Sequence, residues 1–295
     1  MSLLTYTQGR FEGVRSLVRL LHAHQGRMPR ALVLKWMQPE AFQSERGATK
    51  PVEQLIGCAR SLRLVEDVQR DLVLVGEPGP TDPVAFADRV HAILRDEPDP
   101  GDRVMFLVYA WFVVKIEQHG GTQWIADATV NDLTDEAEAA LAKHSPDERA
   151  DTFNSTRFSA WCSWIVALGL GHEAACLPAF FPHPSERLSR ELPSCVRELG
   201  VNVEIPARGF LDVLKQRMPY LDGGAIWKDV AARSGFVPRE KTLGRVLSEA
   251  LRELHDEGRL QLIMRGDSAG AVALASDPLH AVATFSAVRL AEGEA

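Results

Sequence analysis

Histidine, cysteine and glutamate residues that could bind a metal ion are grouped in one part of the chain. His172, Glu173 and Cys176 lie close together, and three more candidates lie nearby: Cys162, His183 and Cys195. A histidine and a cysteine four positions apart on a helix can share a zinc ion. However, the zinc motif His-Glu-x-x-His would need a second histidine where Cys176 stands, and a buried cysteine is usually a small apolar filler. We therefore predict no metal site and no cofactor, and the pair His172 and Cys176 stays open.

Basic side chains that could contact phosphate form a second set. The chain has a net charge of −7, but residues 1–76 carry +4, residues 77–207 carry −11 and residues 208–275 carry +2. Local basic surfaces attract nucleic acid whatever the total charge. The candidate DNA contacts are Lys50, Arg60, Arg63 and Arg70 in the first region and Arg239, Lys241, Arg245 and Arg265 in the third. Acidic residues are interleaved in the third region, so a solvated surface is the alternative, and the first region has the cleaner positive charge.

Motifs of enzyme active sites are missing from the sequence. The segment LGLG, residues 168–171, lacks the Lys-Ser/Thr that ends a phosphate-binding loop, and no Gly-x-Ser-x-Gly elbow is present. The many carboxylates of the middle region show no spacing typical of acid–base catalysis. We therefore expect that the protein is not an enzyme.

The elements that must position the first basic set follow from hydrophobic spacing. A first helix has its apolar face at Phe11, Val14, Leu17, Val18 and Leu21. A second helix begins near Pro29, a third covers residues 52–62, and two short strands at 64–65 and 72–75 enclose a polar turn. Three helices followed by a hairpin are typical of a winged helix-turn-helix, whose third helix enters the DNA major groove.

The third region repeats this pattern. Helices are predicted over residues 209–221, 225–236 and 242–258, with Thr242 as the cap and Gly258 in the left-handed position after the end. Arg252 lies away from the apolar stripe of the last helix. Residues 259–265 and 271–275 are then predicted to form the two strands of a wing, joined by a polar turn.

The middle region is predicted to be helical and acidic, after a Pro- and Gly-rich linker at residues 76–83. The sequence therefore predicts a mainly α fold in which N-terminal and C-terminal winged helix-turn-helix modules, with small β-hairpin wings, flank a helical middle domain. The predicted domains are residues 1–76, 77–207 and 208–295.

The longest apolar run, residues 104–114, is too short to span a bilayer, and the N-terminal residues lack the features of a signal peptide. We expect a cytoplasmic protein that contacts no membrane.

The layout resembles one known family. The features are the opening MSLL, the early winged helix, the stretch FNSTRFSAWCSWIVALGLG and the terminal winged helix, and the most motif-like residues are Asn154, Trp161 or Trp164, and LGLG. On these features the chain resembles the DpdG proteins of bacterial islands that insert 7-deazaguanine bases into DNA and restrict unmodified DNA. The resemblance implies a non-catalytic partner in a phage-defence system, and it brings no catalytic residues.

Three functions fit these observations. The first is a DNA-binding accessory subunit of a defence or restriction–modification complex, which contacts double-stranded DNA without sequence preference. The second is a structural adaptor that binds protein in a chromosome-condensing (SMC-like) or other ATPase complex. The third is a ligand-sensing transcription factor, which usually has a single DNA-binding end. The identity of the other subunits and the formation of a homodimer stay open.

Overall fold

The computed structural model describes residues 2–6, 8–38, 50–76, 79, 82–141, 153–173, 180–266 and 270–291. The chain is mainly helical, with small antiparallel sheets. It divides into two units: Met1–Met105 with Pro146–Leu168, and Phe106–Ser145 with Gly169–Ala295. Both units take residues from the predicted middle domain, and the predicted division into three domains stays a prediction.

In its described residues the first unit contains five α-helices and one sheet. Its elements are α1 (Phe11–Ala23), β1 (Arg27–Pro29), α2 (Arg30–Met37), α3 (Lys50–Ser61), β2 (Val65–Val68), β3 (Asp71–Leu74), α4 (Pro83–Asp96) and α8 (Ser155–Ala167). The sheet has the order β1-β3-β2, and both pairings are antiparallel, with Met28 opposite Leu72 and Asp67 opposite Leu72 on the other side.

The apolar spacing of α1 explains how the first unit is held together. Phe11, Val14, Leu17, Val18 and Leu21 are all buried, as their helical spacing predicts. The ring of Phe11 makes edge contacts with Phe86 of α4 and Trp164 of α8. One apolar stripe therefore joins three helices, and the burial of large aromatic side chains dominates the energetics of this core.

Polar groups of the N-terminal segment are paired inside the first unit. The buried carboxylate of Asp102 accepts the Leu3 N–H at 2.6 Å and a hydrogen bond from Ser61. Trp164 donates its indole N–H to the Gly9 carbonyl at 2.8 Å. Burial raises the pKa of Asp102, while the hydrogen bonds from Ser61 and Leu3 oppose that rise.

The second unit contains the other helices and three small sheets. Its elements are α5 (Val104–His119), α6 (Gln123–Asp127), α7 (Val130–Leu141), β4 (Gly171–Glu173), β5 (Phe180–Pro182), α9 (Ser185–Leu199), β6 (Glu204–Pro206), α10 (Ala207–Arg217), α11 (Ala225–Arg233), α12 (Arg245–Asp256), β7 (Leu260–Ile263), β8 (Val272–Ala273), β9 (Thr284–Phe285) and β10 (Ala287–Leu290). The first two residues of α5 belong to the first unit. The longest apolar run of the sequence, residues 104–114, lies in α5, and its Tyr109 ring contacts those of Phe180 and Tyr220.

The main sheet of the second unit corrects the predicted wing. Its order is β6-β10-β7, with Val288 of β10 opposite Ile205 on one side and Leu262 on the other. The strand predicted at residues 271–275 is therefore not the partner of β7, because β8 pairs instead with β9. The sheet also takes β6 from before residue 208, so it crosses the predicted boundary of the last domain.

The ends of α12 differ in how well the sequence predicted them. Gly258 follows the helix with a φ of 73°, the left-handed conformation predicted for it. The helix begins at Arg245 rather than at Thr242, because Thr242 lies in a short bridge with Ala273. Within the described part of the chain, no helix combines the length and the apolar character that crossing a bilayer requires.

Candidate nucleic-acid interface

The second unit has a cleft of about 470 Å³ between α10, α11 and the start of α12. The segment of residues 236–244 forms one wall, and the last turn of α5 contributes Glu117. Six basic side chains line this cleft, which we call the basic cleft: Arg208, Lys215, Lys228, Arg239, Lys241 and Arg245. Two carboxylates, Glu117 and Asp222, also line it.

Most of the basic side chains in the basic cleft have no acidic partner. Lys215 forms an ion pair with Asp212 at 2.8 Å. Among the described residues, no ion pair within 4.0 Å involves the other five. A cation without an acidic neighbour keeps its full attraction for a phosphate group. The cleft therefore has an excess of positive charge, although Glu117 and Asp222 also line it.

Local structure explains why these side chains converge. Arg208 and Lys215 lie two turns apart on α10, so they share the helix face that also carries Leu211. Two backbone hydrogen bonds with Ala273 fix the segment of residues 241–243. The Leu243 N–H donates to the Ala273 carbonyl, and the Ala273 N–H donates to the Lys241 carbonyl, both at 2.8 Å. Lys241 itself has a φ of 57°, a left-handed conformation that a non-glycine residue adopts only at a cost.

The two carboxylates occupy the N-terminus of α12. Asp222 accepts the Gly244 N–H and Glu117 accepts the Arg245 N–H. Burial raises the pKa of Asp222 to about 7, and the negative charge of Glu117 adds to that rise, while the hydrogen bond from Gly244 opposes it. The helix start thus already holds its own acidic groups, and a phosphate in the cleft would contact the basic side chains instead.

Of the residues predicted in the third region, the structure brings three together. Arg239, Lys241 and Arg245 all line the basic cleft. Arg265 is not among its lining residues and forms an ion pair with Glu204 of β6. Arg252, expected on the outer face of α12, is buried and holds the carbonyls of Ala275 at 2.8 Å and of Val282 at 3.1 Å.

Two of the four residues predicted in the first region are paired with acids. Arg60 of α3 pairs with Asp67 at 2.6 Å, and Arg63, just after α3, pairs with Glu97 at 2.9 Å. Arg70 lies exposed in the turn between β2 and β3, with no ion pair among the described residues. The side chain of Lys50, the first residue of α3, lies outside the described part. The first region, which has fewer acidic residues in the sequence, thus has a larger share of its predicted basic residues paired with acids than the third region.

Sequence reasoning missed half of the basic cleft. Arg208, Lys215 and Lys228 lie on α10 and α11 and were not predicted as contacts. The seven-residue spacing of Arg208 and Lys215 was a usable signal, because it places both on one helix face. The meeting of Asp222 and Glu117 at the start of α12 could not be predicted from the sequence, since the two residues are far apart in the chain.

The candidate metal ligands are only partly described. The rings of His172 and His183 lie with their centroids 4.7 Å apart, and His183 Nε2 is 3.1 Å from a Glu253 oxygen. Cys176 lies outside the described residues. Among those that the structure describes, no group of three histidine, cysteine or acidic side chains is arranged to hold a metal ion.

Comparison with known proteins identifies a family that this chain matches. The model of a family described as DpdG-like matches residues 1–268 of this chain. Neither a curated protein nor a solved structure gave a match.

Proposed function

The chain belongs to the DpdG-like family, and on this premise we propose that it is a non-catalytic, DNA-binding accessory subunit of a bacterial defence complex. The family is associated with DpdG-type DNA-modification and defence systems. In this proposal the basic cleft contacts the phosphates of double-stranded DNA without reading its sequence. The other subunits of the complex dock elsewhere on the chain.

We further propose that each unit contains a winged helix-turn-helix. In the first unit the order α1-β1-α2-α3-β2-β3 and the sheet order β1-β3-β2 support this assignment. In the second unit α9, β6, α10, α12, β7 and β10 follow the same order, with α11 inserted before α12 and β8 and β9 inserted before β10. The sheet order β6-β10-β7 matches that of the first unit. On this assignment α12 corresponds to the recognition helix, whose N-terminal residues contact DNA in such modules.

The observation that carries the DNA-binding proposal is a set of five basic side chains in one cleft that form no ion pair with the described residues. Arg208, Lys228, Arg239 and Lys241 are exposed, and Arg245 is half-buried at the start of α12. Each phosphate that a basic residue contacts releases condensed counterions, so such a cluster predicts a strong dependence of affinity on salt. Four to five contacts correspond to a slope of about −4 in a plot of log affinity against log salt concentration.

The test measures binding of a blunt DNA duplex by fluorescence anisotropy at several salt concentrations. The double variant Arg239→Glu/Arg245→Glu is expected to bind more weakly and to show a slope smaller by about 2. Arg259→Glu is the matched control, because Arg259 is exposed in the same unit but does not line the cleft. Unchanged affinity in the double variant, or binding without salt dependence, would contradict the proposal.

One observation favours the adaptor as a second candidate. Leu32 and Trp36, one turn apart on α2, are 44% and 56% exposed, so two large apolar side chains lie together on the surface, as at protein-binding sites. The arginines around α3 are paired with acids, so this surface is better suited to protein than to DNA. Copurification with an ATPase, together with no affinity for duplex DNA, would favour the adaptor over the DNA-binding subunit.

A further inference from the structure

Two side chains that line the basic cleft each have a buried polar atom without a hydrogen-bond partner among the described residues. Asp222 Oδ1 and Trp227 Nε1 belong to side chains that line the cleft and are 9% and 4% exposed. Neither atom meets a hydrogen-bonding group of another residue among those that the structure describes. Buried polar groups in folded proteins are almost always paired. Two such unpaired atoms in side chains of one cleft therefore point to a ligand that forms a hydrogen bond with each of them.

The chemistry of the two atoms restricts that ligand. The indole N–H of Trp227 can only donate a hydrogen bond, so the ligand must offer an acceptor. The Asp222 carboxylate accepts from a donor, and burial raises its pKa to about 7, so near neutral pH its protonated form is also available. A planar ring edge that carries a donor beside an acceptor, as a nucleobase does, satisfies both groups at once.

The walls of the basic cleft suit a flat, partly apolar group. Trp227, Phe236 and Pro238 are among the lining residues, and the two aromatic rings meet edge to face with centroids 6.0 Å apart. The volume of about 470 Å³ lies within the range of small-molecule sites and is far too small for a duplex. Aromatic side chains are the usual platform on which proteins hold unstacked bases.

The charged groups separate by depth. Asp222 and Trp227 are buried, whereas Lys228, Arg239 and Lys241 are exposed and so lie at the mouth. A simple phosphate ion would be drawn to the mouth and would leave the buried pair without partners. A ligand with a base at one end and a phosphate at the other matches both depths.

We propose that the basic cleft binds a single nucleotide, with its base held at Asp222 and Trp227 and its phosphate held by the cations at the mouth. The nucleotide comes either as a free nucleoside phosphate or as an unpaired nucleotide at the end of a DNA strand. This inference rests on the proposed function, because both use the same cations. It adds that the site recognises a base as well as a phosphate.

The experiment titrates the full chain with each of the four deoxynucleoside 5′-monophosphates and with inorganic phosphate, using calorimetry. At least one nucleotide is expected to bind tenfold or more tightly than inorganic phosphate. Trp227→Phe, which removes only the indole N–H and part of the ring, and Asp222→Asn are each expected to weaken that binding by about tenfold. Circular dichroism checks that each variant is folded. If one variant does not fold, the affinity of the other still tests the proposal. Arg259→Gln is the control that should bind like the wild type.

The outcomes separate this inference from the proposed function. Equal binding of inorganic phosphate and every nucleotide, or wild-type affinity in both folded variants, would overturn it. A parallel titration of the wild type uses a blunt duplex and a duplex with a single-stranded 5′ overhang. Preference for the overhang identifies a strand end as the source, and binding of mononucleotides alone identifies a free nucleotide. Nucleotide binding without any duplex binding would contradict the proposed DNA-binding function but not this inference. Duplex binding without nucleotide binding would contradict this inference but not the proposed function.

Discussion

Asp222 and Glu117 cap the same helix, Asp222 through the Gly244 N–H and Glu117 through the Arg245 N–H. Gly244, the residue before α12, has no side chain with which to cap it, so residues from two other segments supply the acceptors. Negative charge is favoured at a helix N-terminus, and here the protein's own carboxylates provide it. Attraction of an external phosphate therefore falls to the surrounding lysines and arginines rather than to the helix dipole.

The first prediction concerns the pH dependence of stability. The pKa of Asp222 lies near 7 in the folded chain, above the ordinary value of 3.8. Between about pH 4.5 and 6.5 the folded state therefore holds a proton that the unfolded state has lost, and this group's contribution to stability falls as pH rises. The expected loss is about 1.4 kcal/mol per pH unit, relative to Asp222→Asn, in urea unfolding at several pH values.

The control for this prediction is Asp135→Asn, because Asp135 is exposed on α7. Its difference from the wild type should stay constant over the same pH range. Parallel stability curves for the wild type and Asp222→Asn would show that burial does not shift the carboxyl in this way.

A second prediction concerns the backbone beside the basic cleft. A Cβ added at Gly224, the residue before α11, would lie 2.3 Å from the carbonyl oxygen of Pro219. Backbone must move to relieve such a contact, so Gly224→Ala should lower the free energy of unfolding by about 2 kcal/mol. Gly270→Ala is the control, since nothing lies within 4 Å of an added Cβ there. Equal melting temperatures for the two variants would contradict the expectation.

A third prediction concerns the loop that precedes β9. The buried guanidinium of Arg252 holds the carbonyls of Ala275 and Val282, so it ties both ends of the intervening segment to α12. Arg252→Met keeps an apolar stem but leaves these carbonyls without their donor, at an expected cost of about 2 kcal/mol. Limited proteolysis should then cut between these two residues faster than in the wild type. Arg259→Met, at an exposed position, should leave the cleavage rate unchanged.

Local spacing predicted the local elements well. The apolar face of α1 and the presence of a hairpin at β2 and β3 follow from residues that are neighbours in the chain, but β2 extends to Val68 and so includes residues predicted to form the turn. Asn154, one of the motif-like residues, caps α8 by accepting the Arg157 N–H at 3.2 Å. The predicted partner of β7 was wrong because packing, not the spacing of residues within either strand, determines which strands pair over long separations in the chain. Local rules favoured the nearest apolar run, whereas the sheet uses β10.

The site was less predictable than the fold for a related reason. Composition gives the number of charges in a region but not their pairing, so Arg60 looked free although Asp67 neutralises it. Arg252 looked exposed because arginine is rarely buried. Lys228 and Asp222 enter the basic cleft only through the tertiary arrangement of α10, α11 and α12.

The last prediction concerns a buried ion pair in the second unit. Glu191 of α9 is 3% exposed and holds both Arg187, one turn earlier at 2.9 Å, and Arg217 of α10 at 2.6 Å. Glu191→Gln keeps the shape of the side chain but removes the buried negative charge that faces both guanidinium groups, and it should cost about 3 kcal/mol. Glu198→Gln alters an exposed partner of the same Arg217 and should cost under about 1 kcal/mol. Urea unfolding of the two variants measures this difference, and similar losses from both would show that burial gives the Glu191 pair no special weight.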